Sequence, residues 1–476
     1  MMKKICLLLF VIACMALCLI PSLGMTFFAT NERIGNEQET PFPALISEED
    51  GYNSSFLPEL GTYFDKHFAF RPQSIDLDAK IQSMVFSTSN LDTVTVGENG
   101  WLYYSSTLND FLGKDPLSQR EINGIAHNLS LAQEYVENKG AKFLFTVAPN
   151  KNTLYPENMP YYYRKAASDE HNRDKLKDAL SAYSVNYCDL FALFEEQDEV
   201  LYLKQDSHWN NKGALMVYNA VLDSLSKAHD DYSSLQPTRV CDFYGDLSKM
   251  LYPGAQQPEY NYAYPIDEPN YVTPTKSVEE AIIRTERSDA SGSLYMYRDS
   301  FGNSLLPFFA NAYGSAYFTK TFPINMELDL TSNPADTVVF EIVERNLVWF
   351  LENPPAFTSP ERVVNISDSV EGKAEVEGSV LMANMTLISL EGTVDSSLCQ
   401  DDSVIYLQVK NSDGKSGIFE AFNRKTDENG DGFAVYLPFS AYGGQPLEVD
   451  VIVGTGDTFT KVYHTSVDKI DAEVIQ

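Results

Sequence analysis

The stretch SQREINGIAHNLSLAQEYVENKGAKFLFTVAPNK, residues 118–151, reads as a complete helix-then-strand unit. Ser118 and Glu121 have the spacing of a capping box, in which each side chain satisfies a free backbone N–H of the other. Ile122, Ile125, Leu129, Ala132 and Val136 recur at helical spacing up to Gly140, a residue suited to the left-handed turn that closes a helix. Lys142 to Val147 follows as a buried strand ending at Pro149-Asn150-Lys151. A helix feeding an unbroken apolar strand predicts an α/β layer with a mainly parallel sheet.

Outward from this unit the pattern continues. Val185 to Leu190, Val200 to Lys204, Ser293 to Arg298, Ala316 to Thr319 and Thr337 to Val343 read as further strands, which places an α/β domain over residues 75–360. After Pro354-Pro355 the texture changes. Runs such as Val404 to Val409, Phe433 to Leu437 and Leu447 to Val453, separated by turn residues and without a convincing helix, predict an all-β sandwich over residues 366–476. Asp427-Glu428-Asn429-Gly430-Asp431-Gly432 imitates the start of a calcium loop, but position twelve is Pro438 where a bidentate Glu is needed, so a hairpin turn is the better reading.

At the other end, Lys3 and Lys4 precede an uncharged run from Ile5 to Ala29, long enough to cross a bilayer as a helix. Residues 1–29 are therefore an N-terminal membrane anchor, with the lysines inside, or a signal peptide cut after Ser22-Leu23-Gly24. Either way the body lies outside the cytoplasm. Residues 30–74, with Pro41, Pro43 and Glu48-Glu49-Asp50, read as a polar spacer and lead-in. The chain has 476 residues, 67 Asp plus Glu against 35 Lys plus Arg, and a formal charge of −32, which argues against nucleic acid as a partner. Only Cys188, Cys241 and Cys399 lie outside the N-terminal stretch, without zinc-ligand spacing, and no metal or cofactor is implied.

Two motifs bear chemistry. In Lys204-Gln205-Asp206-Ser207-His208-Trp209-Asn210, a strand gives way to a helix near Asn211, and residues i and i+2 of an extended segment face one side. Asp206 can thus fix the tautomer of His208 and stabilise its imidazolium, which is half of a catalytic triad. In Tyr297-Arg298-Asp299-Ser300-Phe301-Gly302-Asn303, a strand runs into a tight turn and a helical pattern, so Ser300 sits at the carboxyl edge of the sheet as a nucleophile candidate. Each motif alone also reads as an ordinary cap or turn, and Asp206 with His208 as a weak metal pair. Asp299 reads as a turn-stabilising residue. Candidates for oxyanion stabilisation or cleft lining are backbone N–H groups near Ser300, including Gly302, together with Asn150, Lys151 and Trp209; loop hydrogen bonding is the competing and better-supported reading of Asn150 and Lys151, as a buried structural place is for Trp209. Tyr260, Tyr262 and Tyr264, at spacing two, could present one aromatic face to a sugar ring or simply pack.

Asp206-Ser207-His208-Trp209 resembles the Asp-His-His-Trp motif of the DHHW proteins, relatives of SGNH-hydrolase-like alginate O-acetyltransferases, with Ser207 in place of the first histidine. Phe64 to Arg71 (FDKHFAFR), Val96 to Leu102, Ala148 to Lys151 with Tyr155-Pro156, Arg298 to Phe301, and Phe340 to Arg345 resemble the family in the same order, covering residues 35–360 but not the C-terminal part. The resemblance implies an SGNH-hydrolase-like domain with Ser300 as nucleophile, His208 as base and Asp206 as its orienting acid. It further implies O-acetylation of a cell-envelope or exported polysaccharide, and a membrane-bound acyltransferase of the MBOAT type as donor partner. A polysaccharide acetylesterase using the same triad, or a non-catalytic glycan-binding envelope protein, are the competing readings; the β-rich C-terminal part could bind carbohydrate in either.

Overall fold

A computed structural model describes residues 2–28, 39–47, 51–86, 88–381, 385–426 and 430–471. Residues 30–38 of the spacer, Glu48-Glu49-Asp50, and Asp427 to Asn429 of the calcium-loop imitation lie outside the described residues.

The central sheet has six strands: β1 (Lys142–Ala148), β2 (Tyr187–Cys188), β3 (Ile282–Glu286), β4 (Ser293–Tyr297), β5 (Ser315–Thr319) and β6 (Thr337–Val343), in the spatial order β2-β1-β6-β4-β5-β3. Pairings are parallel from β2 to β5, and the edge strand β3 runs antiparallel to β5, so the sheet is mixed. Strand β6 is buried at all seven positions, as a central strand covered on both faces must be. The pleat divides the side chains. Phe143, Phe145, Phe340, Tyr295 and Tyr297 enter one core beneath the helix Gln119–Asn138. Leu144, Val339, Leu294, Met296 and Phe318 enter the other, with the helices Asn211–Ser224 and Leu306–Ala312. Helices on both faces leave the carboxyl edge of the parallel strands open to carry a site. The capping box of Ser118 and Glu121 is present, and Gly140 takes φ +81°, as their sequence positions predict.

Two sequence expectations are corrected. Val200 to Lys204 does not join the sheet. The chain doubles back on itself there, Asn210 N–H donating to Leu201 O and Leu203 N–H to His208 O, which leaves a single bridge between Tyr202 and Trp209. Val185 to Leu190 contributes only Tyr187 and Cys188, because Asp189 accepts from Ala192 N–H and starts the helix Leu190–Glu195.

Beyond residue 365 a four-stranded antiparallel sheet (Ala374–Val380, Leu387–Val394, Asp431–Pro438, Phe422–Arg424) faces a five-stranded one. Ile388, Leu390, Val435 and Leu437 of the first share a core with Leu407, Val449 and Val451 of the second. A one-turn helix, Phe439–Tyr442, is present where no helix is predicted. These strands dock on the helix Gln119–Asn138 through apolar side chains, Leu387, Phe422, Ala434 and Tyr436 entering its core, and through polar groups: Arg362 bonds Glu134 and Glu420, and Glu420 meets the buried His127 at 2.8 Å.

Candidate active site

The loop between Leu203 and Asn210 is held from several sides. Asn210 caps the helix Asn211–Ser224, its Oδ1 accepting from Lys212 and Gly213 N–H. The ammonium of Lys151 donates to the carbonyls of Leu203, Lys204 and Asp206. The Glu259 carboxylate accepts the N–H groups of Lys204 and Gln205. Gly245 lies so close to this loop that a Cβ there would fall 2.1 Å from Gln205 O, which only glycine avoids.

The loop delivers Asp206 and His208 to one spot. Asp206 is buried, and its Oδ1 accepts from both the backbone N–H and the Nδ1 of His208, at 2.9 and 2.6 Å. Its Oδ2 accepts the N–H of Asp246 at 2.7 Å. The neutral tautomer that satisfies these contacts carries its proton on Nδ1, which leaves the Nε2 lone pair facing Ser300 Oγ at 2.7 Å. Burial by itself would lower the His208 pKa, but the Asp206 charge and hydrogen bond, with Asp246 and Asp299 nearby, raise it above its ordinary value. Burial by itself would raise the Asp206 pKa, and the His208 contacts and backbone N–H donors carry it well below the usual carboxylate range instead.

Ser300 arrives on the turn after β4. Asp299 shapes this turn: its Oδ1 accepts from Phe301 N–H and its Oδ2 from Val343 N–H at the end of β6. The Phe301 N–H is therefore committed, which leaves the N–H groups of Ser300 and Gly302 as the backbone candidates for an oxyanion. Gly302 sits against the Arg298 side chain and the Glu341 carboxylate, where a Cβ would come within 2.7 Å of Arg298 Cβ. The arrangement can activate a hydroxyl nucleophile: an acid, a base and a serine in one hydrogen-bonded row.

The remaining predicted residues sort themselves by their partners. Asn150 follows β1 at the same sheet edge; its N–H is held by Glu344, while its buried side-chain amide has no hydrogen-bond partner among the described residues. Lys151 is buried and its three protons are spent on the loop carbonyls, so the structure makes it a brace rather than a donor to substrate; burial pulls its pKa down to about 8. Trp209 does not line an open cleft. It is buried against Phe301 and donates to Ser304 Oγ at 2.6 Å, tying the two motifs together from behind. Nor do the three tyrosines form one open stripe: Arg239 covers Tyr260, Lys212 lies over Tyr262, and Tyr264 packs edge-on to Phe308.

Sequence reading missed Asp246 and Glu259. Asp246 accepts from the N–H and hydroxyl of Ser207, and its Oδ2 stands 3.7 Å from His208 Nδ1. No local spacing reveals it, because it lies forty residues from its partners; the only signal is its place at the start of the helix Asp246–Leu251. Asp206, His208 and Asp246 bring ligand-type atoms within 4.8 Å of one another, yet they would have to surrender these hydrogen bonds to hold a cation.

Replacing Lys151 by methionine is expected to strand three carbonyls and lower stability by about 2–4 kcal/mol. A thermal melt of the variant measures this, and an unchanged Tm would show that the brace is dispensable.

Residues 94–290 match the family described as the SGNH hydrolase-like domain of acetyltransferase AlgX. The match includes Asp206 and His208 and stops short of Ser300. The chain is 25% identical over 179 residues to a "Probable alginate O-acetylase AlgJ" of Pseudomonas aeruginosa, covering 37% of this chain and 44% of that protein. It is 26% identical over 213 residues to the protein of the same name from Pseudomonas syringae pv. tomato, covering 42% and 51%. The chain thus spans about half the length of the curated relatives it matches. A crystal structure of a DHHW family protein from Eubacterium siraeum aligns at 17% identity and a TM-score of 0.36, over 47% of this chain and 85% of that one. Residues 94–290 thus resemble the SGNH hydrolase-like domain described for acetyltransferase AlgX, and part of the chain is similar to proteins named as probable alginate O-acetylases.

Proposed function

We propose that the chain is an extracytoplasmic serine O-acyltransferase, transferring acetyl groups to hydroxyls of a cell-envelope or exported polysaccharide. The observation that carries this reading is the row Asp206, His208, Ser300, with contacts of 2.6 and 2.7 Å. The Oγ of Ser300 attacks the carbonyl carbon of the acyl donor while its proton passes to His208 Nε2, and Asp206 stabilises the imidazolium. The N–H groups of Ser300 and Gly302, with the unspent amide of Asn150, take up the developing oxyanion. Collapse expels the leaving group, protonated by His208, and leaves an acetyl ester on Ser300. A sugar hydroxyl then gives its proton to Nε2 and attacks this ester, which regenerates the serine.

The family match, and relatives named as alginate O-acetylases, favour transfer onto a polysaccharide. Within this reading residues 75–360 are the catalytic domain and residues 366–476 a β-sandwich module that holds carbohydrate. Residues 1–29 anchor the body at the outer face of the membrane, supported by the apolar helix Lys4–Met25, and an MBOAT-type protein supplies the acyl group.

Intact-mass measurement of the detergent-solubilised chain, after incubation with an activated acetyl ester, tests the proposal. One acetyl group mapped to Ser300, moved to an oligosaccharide when that is added, is the expected result. Release of acetate alone, with or without acceptor, would favour the esterase, and an unconsumed ester the glycan-binding protein.

A further inference from the structure

The helix Arg71–Ile81, continued by a π-helical turn over Gln82–Phe86, buries a carboxylate and leaves large apolar side chains exposed. Its Asp76 is buried on the protein side and accepts from Gly254 N–H, while Ala79 packs against Leu247 and Leu251. Leu77 and Ile81, at i and i+4 on the helix, and Met84 and Val85 in the π-helical turn that continues it, are 62%, 46%, 82% and 68% exposed. A contiguous apolar stripe on an exterior marks a surface that something covers.

What covers it follows from where the helix begins. Its leading turn touches the apolar N-terminal helix: Ala69 N–H donates to Pro21 O at 3.4 Å, and Gly24 lets the turn approach so closely that a Cβ there would lie 2.7 Å from Ala69 Cβ. Pro21 and Gly24 belong to the last turns of Lys4–Met25, among the described residues the one helix long and apolar enough to cross a membrane. A helix leaving a bilayer near Met25 holds the Ala69 turn at headgroup level, and the exposed stripe starts about two turns further on.

We propose that the Leu77–Val85 face lies in the bilayer interface as a membrane seat, fixing the height of the catalytic site above the lipid. The link to the site is short: the residues under Ala79 belong to the helix Asp246–Leu251, whose first residue holds Asp206 and Ser207. With a chain charge of −32, the seat binds by apolar burial and suits zwitterionic lipid. This inference rests on the anchor reading of the N-terminal helix.

The test uses the full chain reconstituted in phosphatidylcholine vesicles with and without brominated acyl chains, which quench nearby tryptophan. Val85→Trp and Met84→Trp are compared with Val363→Trp, at a fully exposed position on the link to the C-terminal strands. The fluorescence added by the first two is expected to fall at least twofold in brominated vesicles, and that added by Val363→Trp to stay unchanged. Co-flotation of the chain with vesicles, but no quenching of either stripe variant, would overturn the seat and spare the anchor. Blue-shifted emission without quenching would overturn it in favour of a protein neighbour. A chain that does not float with the vesicles would overturn the anchor and the seat together.

Discussion

Ser300→Ala is expected to lower turnover of an activated acetyl ester about 10⁶-fold, the loss typical when the nucleophile of a cooperating serine–histidine pair is removed. The size follows from what remains. Backbone donors near residue 300 and the Asn150 amide would still polarise a bound carbonyl, but no acyl intermediate could form. The side chain of Ser300 meets His208 at 2.7 Å and is half-buried, so its removal opens no large cavity. Stability should change by less than about 1 kcal/mol, which separates loss of chemistry from loss of fold. Ester turnover and a thermal melt on the same preparation measure both. Near wild-type turnover would remove Ser300 from the reaction, and His208→Ala should match its loss, because the two act as a unit.

Asp206→Asn should cost about 10⁴-fold in kcat through the wrong imidazole tautomer, and it should also move the pH profile. His208 must be neutral to accept the serine proton. Burial disfavours its charged form, and Asp206 more than reverses that, so the acidic limb of kcat/KM in the wild type is expected above the ordinary histidine value of 6.5. With asparagine the reversal is lost while burial persists, and the limb should shift to lower pH. A shift to higher pH would contradict the assigned pairing. The same substitution acts on stability with the opposite sense of titration. Because the folded-state pKa of Asp206 lies below the ordinary 3.8, its contribution is complete above that value and is lost as pH falls through the folded pKa. The asparagine variant should therefore be less stable at neutral pH and show less additional loss in acid. Denaturant titrations at several pH values measure that difference.

The parts of the molecule legible in sequence were those set by local periodicity. The helix Gln119–Asn138 with its capping box, the strands β1, β4 and β6, and the turn bearing Ser300 all follow from residues near one another in the chain. Strand reading failed at Val200 to Lys204, where an apolar run is buried by folding back on Trp209 rather than by pairing in the sheet. Composition does not distinguish those two kinds of burial. Of the two readings of Trp209, cleft wall or buried structural residue, the second holds: its indole N–H needed a partner and found Ser304, ninety-five residues away.

The sequence by itself determined that Asp206 and His208 can share a side, that Ser300 sits on the turn after a strand, and that the chain starts with a membrane-length apolar run, because each depends on contacts within a few residues. Only the tertiary structure decided that the two motifs meet at 2.7 Å, that Lys151 braces a loop rather than facing substrate, and that Asp246 completes the hydrogen bonding of Asp206. Those facts depend on strand order and on loops brought together from positions forty to ninety residues apart, and a buried charge takes whatever partner the fold sets beside it.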